Sequence, residues 1–247
     1  MTKPKLTIFP VGCSGIICYL GDSISNEINN LVHTFSDYLN KHIKTKISGV
    51  VPSYHSITIY YDSLNFSFSE IKNEIDFLFK NYNDSPNNKE QTIYEVPVCF
   101  HSDFGTELQK VAEQNNLTTD QVIRLYLEEI YPIYMIGFIP GFPYLGGLNP
   151  ALATPRLVKP KNVLKGSVGI AGNQTGIYPF ESPGGWNIIG RTPIEVFSTK
   201  NNGTENFKAG DMIKFFEITD EEFSQIEQMV EKDNYSIKKE VHYFDSN

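Results

Sequence analysis

Apolar residues recur at helical spacing in two stretches of the first 80 residues, and short strand-like runs surround both stretches. The first helix is predicted over residues 25–40, with Ser25 as its N-cap, and the second follows a capping box made by Ser67 and Glu70. Two strands, a helix, two strands and a helix predict a small α+β domain over residues 1–80, with both helices on one face of a sheet. The predicted strands are Leu6–Phe9, Gly15–Tyr19, Ile47–Pro52 and Ser56–Tyr61.

The pattern changes at residues 81–92, which are polar, contain a proline and lack periodicity. This segment is predicted to be a linker to a second, mainly β domain over residues 93–233. Residues 234–247 are expected to form a loosely ordered tail. Within the second domain the sequence predicts strands at 94–100, 133–137, 194–197 and 212–218. It also predicts three helices. The first covers 104–113, the second begins at the capping box of Thr118 and Gln121 and is closed by Pro132, and the last is capped by Thr219.

The stretch from Gly137 to Pro193 holds 11 of the chain's 18 glycines and its only tryptophan, Trp186. Glycine loses more conformational entropy on folding than any other residue, so this density is costly in an ordered segment. A linker could carry such a composition, but here large apolar side chains are interleaved with the glycines. The stretch is therefore predicted to be ordered, with tight turns and close backbone approaches in a compact β-barrel or sandwich.

Composition narrows the class of protein. The 247 residues carry a formal net charge of −8, which argues against general binding of nucleic acid. No run of about 18 apolar residues is present to span a membrane. The three cysteines form no CxxC pair, which fits a reducing cytoplasm and gives no support to a metal site.

Charge is unevenly distributed, because the glycine-rich stretch contains five cations and one acid, Glu181, in an otherwise acidic chain. A basic segment with exposed backbone N–H groups suits a small anionic substrate such as a carboxylate or phosphate. A solvated basic loop over a β-rich core is the alternative, and both interpretations remain open at this stage. The five cations are Arg156, Lys159, Lys161, Lys165 and Arg191.

Several common kinds of site are excluded by inspection. The chain has neither a Walker loop nor a G-x-S-x-G nucleophile elbow. No histidine lies between His101 and His242, so the glycine-rich stretch has no local imidazole base. His101 stays a candidate because it lies between a predicted strand and a predicted helix, with a structural role as the alternative.

The remaining polar groups of the glycine-rich stretch are suited to binding an anion or a polarised carbonyl. Arginine can make bidentate contacts to a carboxylate or phosphate, amides and hydroxyls can donate hydrogen bonds, and paired glycines can expose successive N–H groups. For the two aromatic candidates, a role as core residues with a polar tip is the alternative. The candidate catalytic residues are Arg156, Gln174 and Arg191, and the candidate substrate-binding residues are Tyr178, Ser182, Gly184, Gly185 and Trp186.

Longer motifs carry a family resemblance that covers nearly the whole chain. They are GFIPGFPYLGGL at 137–148, GSVGIAG-x-QTGIYP at 166–179 and SPGGW-x-IIGRTP at 182–193, together with shorter matches at 155–157 and 209–211. The chain resembles the KipI-like family, also called allophanate hydrolase subunit 1. Bacterial members of that family are read as the B-subunit of an ATP-dependent 5-oxoprolinase.

The resemblance implies a cyclophilin-like β-barrel for the C-terminal domain and a small α+β N-terminal domain. It implies two partners in the 5-oxoprolinase complex, namely the C-subunit, which is similar to biotin-dependent carboxylases and belongs to the allophanate hydrolase subunit 2 family, and the A-subunit, of the LamB/YcsF type. Together these proteins would open 5-oxoproline to glutamate at the expense of ATP. Since the chain has no nucleotide motif, we expect ATP to bind in a site shared with or supplied by a partner, or in a noncanonical pocket.

The resemblance also implies an alternative from a different class, a regulatory protein that docks on a sporulation histidine kinase and blocks its autophosphorylation. Prolyl isomerase activity would rest on the cyclophilin-like fold alone, and a fold does not carry a function. The chain departs from the family pattern at Tyr126-Leu127, where a His-Ser pair is frequent, and at His101-Ser102, where a Gly-Gly pair is frequent. A histidine-dependent step is therefore not expected.

Overall fold

The structure is a computed structural model that describes residues 5–83, 89–198, 204–205 and 207–244. The chain forms two compact units that divide between residues 87 and 88, inside the predicted linker 81–92. Part of that segment, residues 84–88, lies outside the described residues. At its C-terminal end the linker prediction was wrong, because a strand already begins at Lys89.

The first unit is a four-stranded antiparallel sheet, in the order β1-β2-β4-β3, covered by two helices. The side chains of Phe35 on one helix and Ile75 on the other pack against alternate strand residues such as Ile16 and Ile57, and all four are completely buried. Both helices therefore lie on one face of the sheet, as the sequence predicts. The elements are β1 (Thr7–Val11), β2 (Gly15–Tyr19), α1 (Asn26–His42), β3 (Ile47–Pro52), β4 (Ser56–Tyr61) and α2 (Phe68–Asn81).

The second unit contains one large sheet, and its elements begin with a long strand and two short helices. The helix predicted at 104–113 begins only at Leu108, and the next helix ends at Leu127, so that Pro132 lies inside a strand instead of closing a helix. The elements are β5 (Lys89–Val98), α3 (Leu108–Gln114), α4 (Thr119–Leu127), β6 (Ile130–Ile136), β7 (Pro143–Leu145), a 3-10 turn (Pro150–Leu152), β8 (Lys161–Val163), β9 (Ser167–Ala171), β10 (Gln174–Ile177), β11 (Ser182–Gly184), β12 (Asn187–Arg191), β13 (Phe197–Ser198), β14 (Thr204–Glu205), β15 (Met212–Glu217), α5 (Asp220–Glu231) and β16 (Lys238–Phe244).

The predicted loose tail was wrong, because β16 pairs antiparallel with β5 along Lys238–Phe244 and forms an edge of the large sheet. The strand order of this sheet is β12-β9-β10-β7-β6-β15-β5-β16. Beyond the end of β5, Cys99 exchanges two backbone hydrogen bonds of 2.9 Å with Arg191 of β12. The described strands thus form a sheet that curls until one edge meets β5, but their ladders do not close a barrel.

Glycines let the backbone approach aromatic rings in this unit. A Cβ atom on Gly146 would lie 2.0 Å from the ring of Tyr134, and one on Gly176 would lie 2.8 Å from the ring of Phe142. These approaches are shorter than any normal Cβ contact, so only glycine fits. The glycine-rich stretch is therefore an ordered part of the fold, as predicted, and it carries the candidate site.

Candidate functional site

Four aromatic rings form a cluster at one end of the large sheet. Phe142 is the centre, with its ring centroid 4.7 Å from that of Tyr144, 5.1 Å from that of Tyr178 and 5.4 Å from that of Trp186. Three of the rings are buried and Tyr144 is partly exposed. Because the rings meet edge to face or tilted, their geometry is the one that aromatic quadrupoles favour. We call Phe142, Tyr144, Tyr178 and Trp186 the aromatic cluster.

Arg156 lies beside this cluster with an exposed side chain. Burial raises the pKa of Tyr178 to about 12 and also raises the pKa of Tyr144, while the positive charge of Arg156 acts on both hydroxyls in the opposite direction. Both chain neighbours of Arg156 are hydrogen-bonded to the segment around Trp186, since Leu157 N–H donates to the carbonyl of Gly185 and Asn187 Nδ2 donates to the carbonyl of Pro155. The cation therefore borders a surface made of ring atoms and hydroxyls.

The glycine pair, Gly184 and Gly185, lies between the segment of Arg156 and the ring of Tyr178. Leu157 N–H donates a 2.7 Å hydrogen bond to the carbonyl of Gly185, which ties the segment after Arg156 to the pair. A Cβ atom on Gly184 would lie 2.4 Å from the hydroxyl oxygen of Tyr178. The structure thus brings together five of the predicted site residues, namely Arg156, Tyr178, Gly184, Gly185 and Trp186.

Gln174 and Ser182 lie in strands of two different sheets. Gln174 begins β10 after a turn at Gly172, and Gly172 forms an isolated bridge with Thr154, two residues before Arg156. Ser182 begins β11, and its buried Oγ has no hydrogen-bond partner among the described residues. An unused buried hydroxyl is unusual, since most buried polar groups are paired.

Arg191 is placed differently, because its guanidinium is already engaged. It lies 5.6 Å from the ring centroid of Phe104 and 5.3 Å from that of Phe223, and its Nε donates a 2.9 Å hydrogen bond to the carbonyl of Lys165. Its NH2 group is 3.7 Å from a carboxylate oxygen of Glu227. Five residues of mostly extended chain, roughly 16 Å, separate Arg191 from Trp186 of the aromatic cluster. The structure therefore does not join the two arginines that the sequence analysis grouped together.

The predicted basic segment is largely neutralised by acids that lie outside it. Lys161 Nζ is 2.6 Å from Glu107, and Lys165 Nζ is 2.8 Å from Glu195. Together with Arg191, three of the five cations are paired. Arg156 and Lys159 have no ion pair within the described part of the chain, so the anion-binding prediction now concerns these two residues.

Asn187 was not among the residues predicted from the sequence, and its side chain is fully buried next to Trp186. Its Nδ2 donates to the carbonyls of Pro155 at 2.9 Å and Ile170 at 3.2 Å, and its Oδ1 accepts from Lys110 Nζ at 3.1 Å. One feature of the sequence could have indicated this residue. Asn187 is a polar amide at the start of an apolar strand, at the variable position of the SPGGW-x-IIGRTP motif.

His101 belongs to a separate cluster at the start of α5. Cys99 Sγ donates to Asp220 at 2.9 Å, and His101 Nδ1 lies 3.5 Å from the same carboxylate. Burial, reinforced by Asp220, raises the pKa of the Cys99 thiol to about 11, so it stays protonated and is a poor nucleophile at neutral pH. This cluster links the end of β5 to α5, which is the structural role weighed for His101. Within the described ranges, no group of histidine, cysteine or acidic side chains is arranged to hold a metal ion.

The described helices include none that is long and apolar enough to cross a membrane.

Two cavities of about 420 Å³ occur elsewhere in the second unit. The first lies beside α4 and is lined by Asp120, Glu128 and Glu217, with Arg124 as its cation. Neither cavity includes a predicted site residue.

Comparison with known proteins gives a consistent result. Residues 6–206 match the family described as carboxyltransferase domain, subdomain C and D. The chain is 34% identical over 231 residues to the 5-oxoprolinase B-subunit of Bacillus subtilis, covering 89% of this chain and 95% of that protein. It is 35% identical to the 5-oxoprolinase B-subunit of Haemophilus influenzae, covering 85% of this chain and 97% of that protein.

A solved structure supports the fold. The crystal structure of the K. lactis urea amidolyase superimposes on 98% of this chain with a TM-score of 0.83 and 20% sequence identity. The superposition covers 16% of that much longer chain. At this identity the likeness concerns the fold alone.

Proposed function

The chain belongs to the family of the carboxyltransferase domain, subdomain C and D, and we propose that it is the B-subunit of an ATP-dependent 5-oxoprolinase that opens 5-oxo-L-proline to L-glutamate. Its similarity to two proteins that bear the name of the 5-oxoprolinase B-subunit extends over nearly their whole length. These names do not favour the regulatory alternative. The observation that carries the proposed role is Arg156, exposed and without an ion pair in the described chain, in a segment hydrogen-bonded to Gly185 and Asn187 on either side of Trp186 of the aromatic cluster.

The chemistry of lactam opening explains why such a site is useful. The amide bond of 5-oxoproline becomes reactive when the γ-phosphoryl group of ATP is transferred to the amide oxygen, which leaves ADP. A first water attacks the ring carbon and the C–N bond breaks, which gives an acyl phosphate of glutamate. A second water then hydrolyses this acyl phosphate to glutamate and inorganic phosphate. The phosphorylated intermediate carries a carboxylate and a phosphate, so a bidentate guanidinium stabilises charge that is present along the reaction.

The residues around Arg156 have matching roles in this proposal. Arg156 holds the substrate carboxylate, and the partly exposed Tyr144, backed by the buried rings of Tyr178 and Trp186, packs against the lactam ring. The buried hydroxyl of Ser182 and the N–H groups of Gly184 and Gly185 supply hydrogen bonds, and Gln174 supplies an amide. Arg191 has no place in this proposal, since its guanidinium is engaged elsewhere.

We propose that ATP binds in a site supplied by, or shared with, a partner protein of the complex. The cavity beside α4 is lined by three acids and one arginine, which disfavours a triphosphate. Isolated chain titrated with ATP and Mg²⁺ in a calorimeter should therefore give no tight binding. Tight binding would contradict the partner requirement.

The proposed partners are the 5-oxoprolinase C-subunit, similar to biotin-dependent carboxylases, and the A-subunit, of the LamB/YcsF type. Superposition on a small part of the K. lactis urea amidolyase supports the idea that this fold works as one module of a larger assembly.

We also propose a cyclophilin-like barrel for the second unit, and the large sheet with its Cys99–Arg191 bridge supports it. All three cysteines are free, which supports a cytoplasmic location.

The test is glutamate release from 5-oxo-L-proline and ATP by the chain co-expressed with its two candidate partners, each of the three proteins being omitted in turn. Arg156→Ala should lower kcat/KM by about 10²–10³-fold, the usual cost of removing a charge-stabilising donor. Arg124→Ala is the matched control, because Arg124 is exposed on α4 away from the predicted site residues. Full activity without this chain would overturn the proposal.

A further inference from the structure

Residues 156–160 form an exposed arch between two anchored ends. Arg156, Val158, Lys159 and Pro160 are exposed, and Val158 reaches 98%. Such a segment has few packing contacts to fix it, so its geometry depends on how its ends are held. We call residues 156–160 the Arg156 arch.

The first end is fixed through Asn187. The Asn187 amide donates to the carbonyl of Pro155, the residue directly before the arch, and its oxygen accepts from Lys110 Nζ. Carbonyls only accept and an ammonium only donates, so these partners allow just one orientation of the amide. Lys110 on α3 therefore fixes the direction in which Asn187 holds Pro155.

The second end is fixed through Glu107, the residue before α3. Its carboxylate accepts from Lys161 Nζ, directly after the arch, at 2.6 Å and from Ile188 N–H at 2.9 Å. Glu107 is only 14% exposed at its side chain, so this ion pair is less screened than one at the surface. Both ends of the arch are thus held by polar groups at one end of α3.

We propose that Lys110 and Asn187 are positioning residues for Arg156, so that α3 sets where the guanidinium stands relative to the aromatic cluster. This inference rests on the proposed function, because it concerns the same site. Neither residue needs to touch the substrate. They act by holding the carbonyl of Pro155, one residue from Arg156.

The test uses Lys110, since Lys110 is partly exposed whereas truncation of the fully buried Asn187 can prevent folding. The only tryptophan, Trp186, lies in the aromatic cluster, so its fluorescence reports binding of 5-oxo-L-proline. Lys110→Gln should weaken binding by about 3–10-fold, as expected for a coupling of this size. Lys110→Arg should restore it, and Gln109→Ala, the exposed neighbour on α3, should leave it unchanged.

A double-mutant cycle separates positioning from general destabilisation. If Lys110 acts through Arg156, Lys110→Gln should have no further effect on affinity in the Arg156→Ala background. Equal losses in both backgrounds would overturn the inference. The glutamate-release assay of the co-expressed complex should show the same loss in kcat/KM.

A second readout does not depend on the ligand. Hydrogen exchange at the Leu157 amide, which is bonded to Gly185, should speed up in Lys110→Gln and not in Gln109→Ala. If the wild-type chain gives no response to 5-oxo-L-proline, the proposed substrate site is wrong, and the exchange result alone decides whether α3 holds the arch. Unchanged exchange at Leu157 would overturn the positioning role in either case.

Discussion

Arg156 and Arg191 belong to the same glycine-rich stretch, residues 137–193, but the structure gives them opposite environments. Arg156 is exposed, has no ion pair in the described chain and borders the aromatic cluster. Arg191 lies beside a packed pair of phenylalanine rings, Phe104 and Phe223, and is bonded to a backbone carbonyl. A free guanidinium can bind a ligand, whereas an engaged one contributes to stability.

The difference comes from residues that are remote in the sequence. Phe223 and Glu227, which engage Arg191, lie on α5, more than thirty residues after it. Glu107, which neutralises Lys161, precedes it by 54 residues. The count of charged residues along the glycine-rich stretch therefore overstates its positive charge, because the acids that pair with its cations lie elsewhere in the sequence.

The largest expected effect on stability is that of Arg191→Ala. Loss of two cation–π contacts and a charged hydrogen bond should lower the free energy of unfolding by about 2–4 kcal/mol. Arg156→Ala should change it by less than about 0.5 kcal/mol, as is usual for exposed sites. Urea unfolding followed by Trp186 fluorescence measures both.

Arg191→Met is the control that keeps part of the stem and removes the charge. Its folded form should keep glutamate release within about threefold of wild type. Loss of activity in a folded Arg191→Met protein would support the catalytic role predicted for Arg191 from the sequence. The two arginines would then not differ in function.

A smaller effect is expected on the Arg156 side from Gly184→Ala. The new methyl group would lie 2.4 Å from the Tyr178 hydroxyl, so the buried ring must shift, at a cost of about 1–3 kcal/mol. Gly185→Ala is a matched control, because its nearest atom would be 3.7 Å away. The free energy of unfolding, measured in urea, should change for Gly184→Ala only. Equal results for the two variants would show that the site is less tightly packed than the contacts indicate.

The smallest expected effect concerns alkaline pH. Burial raises the pKa of Tyr178 from 10.0 to about 12, so the folded state keeps a proton that the unfolded state loses. Stability from this residue is complete below about pH 10 and is lost as the pH rises towards about 12. Tyr178→Phe should therefore show a shallower decline in urea midpoint across this range than wild type. Parallel declines would mean that Tyr178 contributes little to the pH dependence.

Local signals predicted much of the fold. A side-chain cap at Ser25 and capping boxes at Ser67, Thr118 and Thr219 mark helix starts in the structure, since capping depends on residues three positions apart. The sequence did not reveal β16, because Lys238–Phe244 is charged along much of its length and gains its strand structure from pairing with β5. Strand pairing at such a distance leaves little trace in a local window.

For the candidate site, Tyr178, Gly184, Gly185 and Trp186 are close along the chain, and the structure brings these four residues together. The sequence analysis also grouped Arg191 with them, and the distant partners that engage this guanidinium in the structure could not be seen in the sequence. It missed Asn187 because a buried amide is identified by what it bonds to, and its partner Lys110 is 77 residues away.

The position of β5 also governs when the second unit can form during synthesis. Its sheet neighbours, β15 and β16, follow it by about 120 residues or more. At roughly 5–20 residues per second, β5 leaves the ribosome on the order of 10 s before either neighbour exists. The first unit pairs only strands within Thr7–Tyr61 and can fold as it emerges. Through that interval the apolar side chains of Ile93, Val96 and Val98 lack their final cover, so the nascent second unit is the part of this chain most in need of a chaperone.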